Sequence, residues 1–213
     1  MTIQQLIAER GIESILHFTT NRGSLGLFAS RALKSRQRLN ADQQLKHIFQ
    51  PNARYRDKDR AWLDYANLSV SQINTAFFRT CSGSWHKEKD FFWCILDFTP
   101  EILLHDDVWF TTTNNIYTNV ERAKGPEGLE AIFQTPIHQY LANYSHRSAN
   151  HPSNLPTCNQ AEILYPQELS TDHLQRIYVR CDNDSDELAG QMAATGHSPV
   201  NVVVRPELFE RIR

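Results

Sequence analysis

The sequence predicts a single α+β domain spanning residues 1–213, and three observations carry that expectation. A chain of 213 residues is long enough to bury one large core without disulfides or a structural metal. Strand-like and helix-like stretches are interspersed, yet they do not alternate as regular β-α-β units, which disfavours a doubly wound sheet. The run "FFWCILDF", Phe91 to Phe98, has the unbroken hydrophobicity of a strand buried on both faces.

Taken in order, "TIQQLIAERGI" places Ile3, Leu6 and Ile7 at helical spacing, with Gly11 as the C-cap. "SILHFTT" then alternates as a short strand, and "GSLGLFASRAL" follows as an amphipathic helix over residues 23–33. Residues 40–65 are polar, charged and aromatic without a period, so a functional loop with short helical pieces is expected there. "YANLSVSQIN" alternates as a strand, and "VWFTTTNN" reads as another that ends in a polar turn. "GPEGLEAIFQT" carries Pro126 and an acid in its first turn, the pattern of a helix start. "YSHRSANHPSNLPTCN" is an irregular loop by composition. Beyond it lie a strand from Glu162 to Pro166, a strand "LQRIYVR", a helix closed by Gly196, a strand "VNVVV" and a terminal helix begun by Pro206.

Composition narrows the class. Mean hydropathy is -0.51, and no stretch approaches the roughly 20 apolar residues of a membrane span. The N-terminus has acids and no apolar signal core, so a reducing cytoplasm is the expected compartment. Cys81, Cys94, Cys158 and Cys181 are far apart and form no C-x-x-C pair; free, mostly buried thiols and no metal are expected. Between Arg22 and Arg60 stand ten Lys/Arg against three Asp, a local charge of +7 in a chain of net charge -2. Such asymmetry suits an anionic partner, although a solvated basic face has the same composition.

No P-loop, G-x-G-x-x-G, H-E-x-x-H or G-x-S-x-G is present. The candidates for chemistry are scattered. His17 sits in the "HFTT" strand, Arg60 precedes "AWLDYANLSVS", and Glu162 lies in "NQAEILYP" at the mouth of an apolar strand. A carboxylate on a rigid element can be catalytic; at a strand end it can equally be solvated. His17 and Thr19 share one face of their strand, as do Ser69 and Ser71 of theirs.

Together and in this order, these segments resemble the DarT family of DNA ADP-ribosyltransferase toxins. "LHFTTNRGSLGLFASRAL" is similar to the family's opening strand and helix, and "DRAWLDYANLSVSQIN" to its Arg-then-strand segment. "NQAEILYP" resembles the Q-A-E strand, and "VNVVVRPELF" the closing strand. The resemblance covers nearly the whole chain. It implies an ADP-ribosyltransferase fold, two packed and mainly antiparallel sheets with flanking helices. It also implies NAD as co-substrate and a macrodomain antitoxin, DarG-like, as partner.

The resemblance further implies roles for individual residues. Glu162 becomes the catalytic carboxylate, because breaking the nicotinamide–ribose bond builds positive charge that a carboxylate stabilises. His17 is expected on the adenosine-side ribose, and the backbone near Phe18 and Thr19 on the nicotinamide amide. Arg60 is expected to pair with the pyrophosphate, with Arg56 as the alternative in the same loop, since a guanidinium grips two oxygens at once. Ser69 and Ser71 are candidates for the nicotinamide end. Single-stranded DNA is the economical substrate because its bases are already unpaired. Tyr144, His146, Arg147 and His151, in the loop leading to Glu162, are the candidates to contact it. The middle segment "LSVSQINTAFF" stands where the thymidine-modifying branch carries a Pro-rich aromatic run, so guanine is the expected target base.

Overall fold

The computed structural model describes residues 1–42, 45, 57–86 and 90–210, without the side chains of residues 57–59. Arg56, one of the expected cofactor contacts, lies outside the described residues. The chain opens with α1 (Ile3–Arg10), started by a Thr2–Gln5 capping box and ended by Gly11 in the left-handed conformation. Strand β1 (Ile15–Thr20) ends on Thr20, whose hydroxyl accepts the Gly23 N–H and so caps α2 (Asn21–Ser30). The helix stops earlier than its sequence pattern suggests. Arg31 turns left-handed at φ 55°, and the next residues become β2 (Ala32–Lys34).

Ser35 caps α3 (Arg36–Ala41), and a 3-10 turn at Asp57–Trp62 leads into β3 (Tyr65–Val70). Asn74 caps α4 (Thr75–Thr80), which runs on into a π turn at Cys81–Trp85. Strand β4 (Trp93–Phe98), a 3-10 turn at Pro100–Leu104, β5 (Trp109–Thr111), β6 (Arg122–Lys124) and α5 (Gly125–Ala131) follow. A short hairpin comes next, β7 (Ile137–His138) and β8 (Tyr144–Ser145), and its second strand opens the expected loop. The chain closes with β9 (Glu162–Pro166), β10 (Glu168–Ser170), β11 (Leu174–Val179), α6 (Asp182–Thr195) and β12 (Asn201–Val204). The expected terminal helix is a single 3-10 turn at Pro206–Phe209.

Eight strands form one sheet in the order β12-β11-β4-β1-β3-β9-β5-β6. Among the described residues, only β11 and β12 run parallel. The expected pair of sheets takes the form of two halves of this sheet, joined between β1 and β3 by two residue pairs, Ile15↔Val70 and Leu16↔Ser69. All six residues of β1 pair with β4, four of them beyond Leu16, while β3 from Tyr65 to Leu68 pairs with β9. The two strands therefore diverge, and the sheet is split.

Both faces of the first half are covered, as the unbroken apolar run predicts. Cys94, Leu96 and Phe98 point toward a core shared with Leu6 of α1, Phe28 of α2, Leu129 of α5 and Leu188 of α6. Trp93 and Ile95 point the other way, onto Phe18, Phe78, Cys81 and Phe209. Burying each such side chain contributes about 1.5–3 kcal/mol. Asp97 is the polar exception in β4. It is fully buried, and it accepts from Ser14 Oγ, Gln175 Nε2 and Tyr178 OH at 3.0–3.1 Å. Arg176 Nε lies 3.1 Å from the same carboxylate. Burial pushes the Asp97 carboxyl up, against the pull of these donors; a buried charge persists only with such partners. None of the four cysteines forms a disulfide, and burial pushes the Cys81 and Cys94 thiols up to about 12, which disfavours the reactive thiolate.

Candidate active site in the split between β1 and β3

Where the two strands part, a cavity of about 280 Å³ opens. Its walls are β1 from Leu16 to Thr19, β3 from Tyr65 to Ser69, and the first turns of α2 at Arg22, Gly23 and Gly26. Phe77, Trp85 and Asn74 close one side, and Asn114, Ile116 and Glu162 another. An apolar cleft with a few convergent polar groups is the usual form of a small-molecule site. Of the residues expected from sequence, His17, Phe18, Thr19, Ser69 and Glu162 all line it.

His17 spans the split. Its Nδ1 lies 2.8 Å from Asn67 O, and since a carbonyl can only accept, Nδ1 carries the hydrogen. Burial lowers the His17 pKa from 6.5, more than the Asn67 bond raises it. The ring is therefore neutral near pH 7, with Nε2 as an acceptor. Phe18 packs against Phe77, Phe78 and Trp93, which holds the strand rigid behind the cavity.

Glu162 begins β9 and is placed by its neighbours. It pairs with Thr111 of β5, which in turn pairs with Arg122 of β6. Glu162 Oε2 accepts the Asn115 N–H at 2.9 Å. Arg122 fixes Asn115 from outside, through Nε to Asn115 Oδ1 and Nη2 to Asn115 O, both at 2.6 Å. Burial lowers the Arg122 pKa, while the Glu162 carboxylate raises it. Tyr117 OH donates to Gln160 Oε1 at 2.9 Å, tying the same loop to the residue two before Glu162. Sequence reasoning missed Asn115, Tyr117 and Arg122, because only pairing of β5, β6 and β9 brings them to the carboxylate.

Other expectations are placed elsewhere. Ser71 does not line the cavity: β3 ends at Val70, and Ser71 turns left-handed at φ 57°, so the strand alternation with Ser69 breaks. Arg60 sits exposed on the 3-10 turn before β3 and is not among the lining residues. Among the described residues, the lining cations are Arg22, Lys34 and Arg36. Arg22 lies over the Phe91 ring at 4.6 Å, and Lys34 pairs with Asp42 at 2.9 Å. Arg38, from the same basic segment, is held in a two-point grip by Asp64. Tyr144 is exposed on β8 and His146 is exposed beside it. Arg147 instead braces its own loop, donating to Leu155 O, Pro152 O and Ser153 O. His151 Nε2 lies 3.1 Å from Pro156 O and lines a second cavity with Thr157 and Asn159. Among the described residues, no group of three His, Cys, Asp or Glu could hold a metal ion, and no helix is long and apolar enough to cross a membrane.

The split sheet has the ADP-ribosyltransferase fold, as comparison with solved DarT structures shows. Thermus sp. 2.9 DarT in complex with carba-NAD+ superposes with a TM-score of 0.65 at 13% identity, over 93% of this chain and 98% of that one. The same protein in complex with ADP-ribosylated ssDNA gives 0.63 at 13% identity, over 94% and 97%. Thermosipho africanus DarTG in complex with ADP-ribose gives 0.56 at 16% identity, over 92% of this chain and 51% of that longer one. No curated protein matches the sequence. The family profile described as "ssDNA thymidine ADP-ribosyltransferase, DarT" matches residues 16–210. This chain therefore belongs to the DarT family.

Two predictions follow from the cleft. Gly23 faces Thr19 so closely that an added Cβ would overlap Thr19 Oγ1. Gly23→Ala should force that side chain toward the cavity and destabilise the fold by about 1–3 kcal/mol, the cost of overpacking, as read by denaturant unfolding. The second concerns pH. The folded His17 pKa lies below the 6.5 of the unfolded chain, so acid protonates the unfolded chain first. Its contribution is full above 6.5 and is lost as pH falls through the lower folded value. Folding stability should lose this contribution only below pH 6.5, and His17→Gln should remove that part of the fall, as read by denaturant unfolding across pH.

Proposed function

We propose that this protein transfers ADP-ribose from NAD+ to a nucleobase of single-stranded DNA, with Glu162 as its catalytic carboxylate. The observation that carries the reading is the shared cavity: Glu162 and the His17–Thr19 strand line one cleft from opposite arms of the split sheet. NAD+ is the co-substrate, and residues of the cleft suit it. Neutral His17 offers an acceptor to a ribose hydroxyl. Arg22, Lys34 and Arg36 give the cleft the positive charge that a pyrophosphate needs.

In the reaction, the bond between the nicotinamide nitrogen and the ribose carbon breaks. Its electron pair leaves with nicotinamide, which becomes neutral, and the ribose gains oxocarbenium character. Glu162 accepts a hydrogen bond from the adjacent ribose hydroxyl and stabilises that charge. The carboxylate has lone pairs beyond the one that takes the Asn115 N–H. The base then attacks the ribose carbon and loses a proton, for which Glu162 is the nearest proposed acceptor. Glu162→Gln should keep NAD+ affinity while lowering transfer by roughly 100-fold or more, the scale for one transition-state stabiliser. Transfer at the parental rate would remove Glu162 from this role.

Guanine is the proposed target base, although the family description names thymidine. The support is local. The departing segment "LSVSQINTAFF" contributes Leu68, Ser69, Asn74 and Phe77 to the cavity, so the sequence difference falls at the site. Guanine carries an exocyclic amine that thymine lacks, and a pocket that leaves one buried polar group unpaired discriminates by about 1–3 kcal/mol. Four single strands, each with one candidate base in an inert context, should show labelled transfer to guanine. Transfer confined to thymine would overturn the base while leaving the enzyme class intact. A DarG-like macrodomain antitoxin remains part of this proposal as the partner that the family resemblance implies.

A further inference from the structure

We infer that a strip of aromatic side chains leading out of the cleft is a stacking platform for the bases of single-stranded DNA. The inference rests on the proposed DNA substrate and adds where the strand lies. Seven large hydrophobic side chains are exposed among the described residues, and four of them, Ile116, Tyr140, Leu141 and Tyr144, lie in two adjoining segments. Scattered exposed apolar residues need no explanation, but a cluster marks a contact surface.

The strip is continuous with the site. Asn115 donates its N–H to Glu162, Ile116 lines the cavity, and Tyr117 is tied to Gln160. The Tyr117 ring lies 5.1 Å from that of Tyr140. On the same hairpin, His138 and Tyr144 stack at 4.5 Å with planes 13° apart. The hairpin is braced for presentation. His138 Nε2–H donates to Leu141 O at 2.7 Å, and Asn143 N–H donates to Tyr140 O at 2.9 Å. Leu141 holds a left-handed φ of 51° while 84% exposed. A strained backbone and an unburied leucine at one position are two costs that folding does not recover.

The chemistry of the strip selects its partner. Residues 114–119 and 137–147 contain no Asp or Glu, so a polyanion meets no repulsion there. Aromatic faces take any base, whereas sequence-independent phosphate contact needs cations. The platform thus holds neighbouring bases while the cleft takes the reacting one.

The test uses Tyr140→Ala/Tyr144→Ala in the full chain, with Tyr140→Phe/Tyr144→Phe as the ring-retaining control. Binding is measured by fluorescence anisotropy to a mixed-sequence oligonucleotide and to an abasic strand of equal length. The alanine pair should lose about tenfold or more in affinity for the base-containing strand. Affinity for the abasic strand and for NAD+ should not change, and the phenylalanine pair should bind like the parent. Unchanged affinity for the base-containing strand would overturn the platform, as would an equal loss on both strands. Failure of the transferase reading is separate: it would show as no ADP-ribose transfer by the parent, whatever the anisotropy shows.

Discussion

The hydrogen bond from His17 Nδ1–H to Asn67 O marks the constraint on which this structure depends. Two adjacent strands of a sheet normally satisfy one another along their length. Here β1 and β3 pair at two residues only and then part. Their outer edges stay paired, β1 to β4 and β3 to β9, while the inner edges face the split. The freed space is the cleft. A side chain replaces the missing ladder at its floor, and its burial keeps the imidazole neutral. Fold and site are thus one feature: remove the divergence and no cavity remains.

The carboxylate on the opposite arm is held by chain remote from it in sequence. Glu162 begins a strand whose inner residues, Ile163 and Leu164, are fully buried, so its backbone has no freedom to drift. The loop after β5 then fixes the side chain through Asn115, and Arg122 fixes Asn115. A group that must meet developing charge gains from such preorganisation, because no reorganisation is needed as the bond breaks. That loop also carries Ile116 and Tyr117, so any movement there is felt both at the carboxylate and at the cleft mouth.

The basic segment shows why a charge count is a weak guide to a binding face. Its +7 suggests an anionic partner along residues 22–60. In the structure Asp64 engages Arg38 and Asp42 engages Lys34, while Arg22 covers an aromatic ring. Paired surface charges of this kind contribute little to long-range attraction and are screened by salt. What distinguishes Arg22 and Arg36 is that they line the cleft.

Much of the architecture was legible in the residues themselves. The mixed α+β class, the buried β4, the capped α1 and α6 and the strand beginning at Glu162 all follow from local periodicity and caps, which neighbours along the chain decide. So did the cluster of His17, Phe18 and Thr19, because a strand keeps consecutive residues together. Ser71 was misplaced because alternation assumes the strand continues, and a left-handed turn ended it. Arg31 ended α2 because the residues after it pair with the distant β10, whereas the hairpin at Tyr144 is a local pairing with Ile137–His138 that composition alone does not show. Asn115, Tyr117 and Arg122 carry no sequence signal at all. Their positions come from the pairing of β5, β6 and β9, a non-local arrangement that local periodicity does not encode.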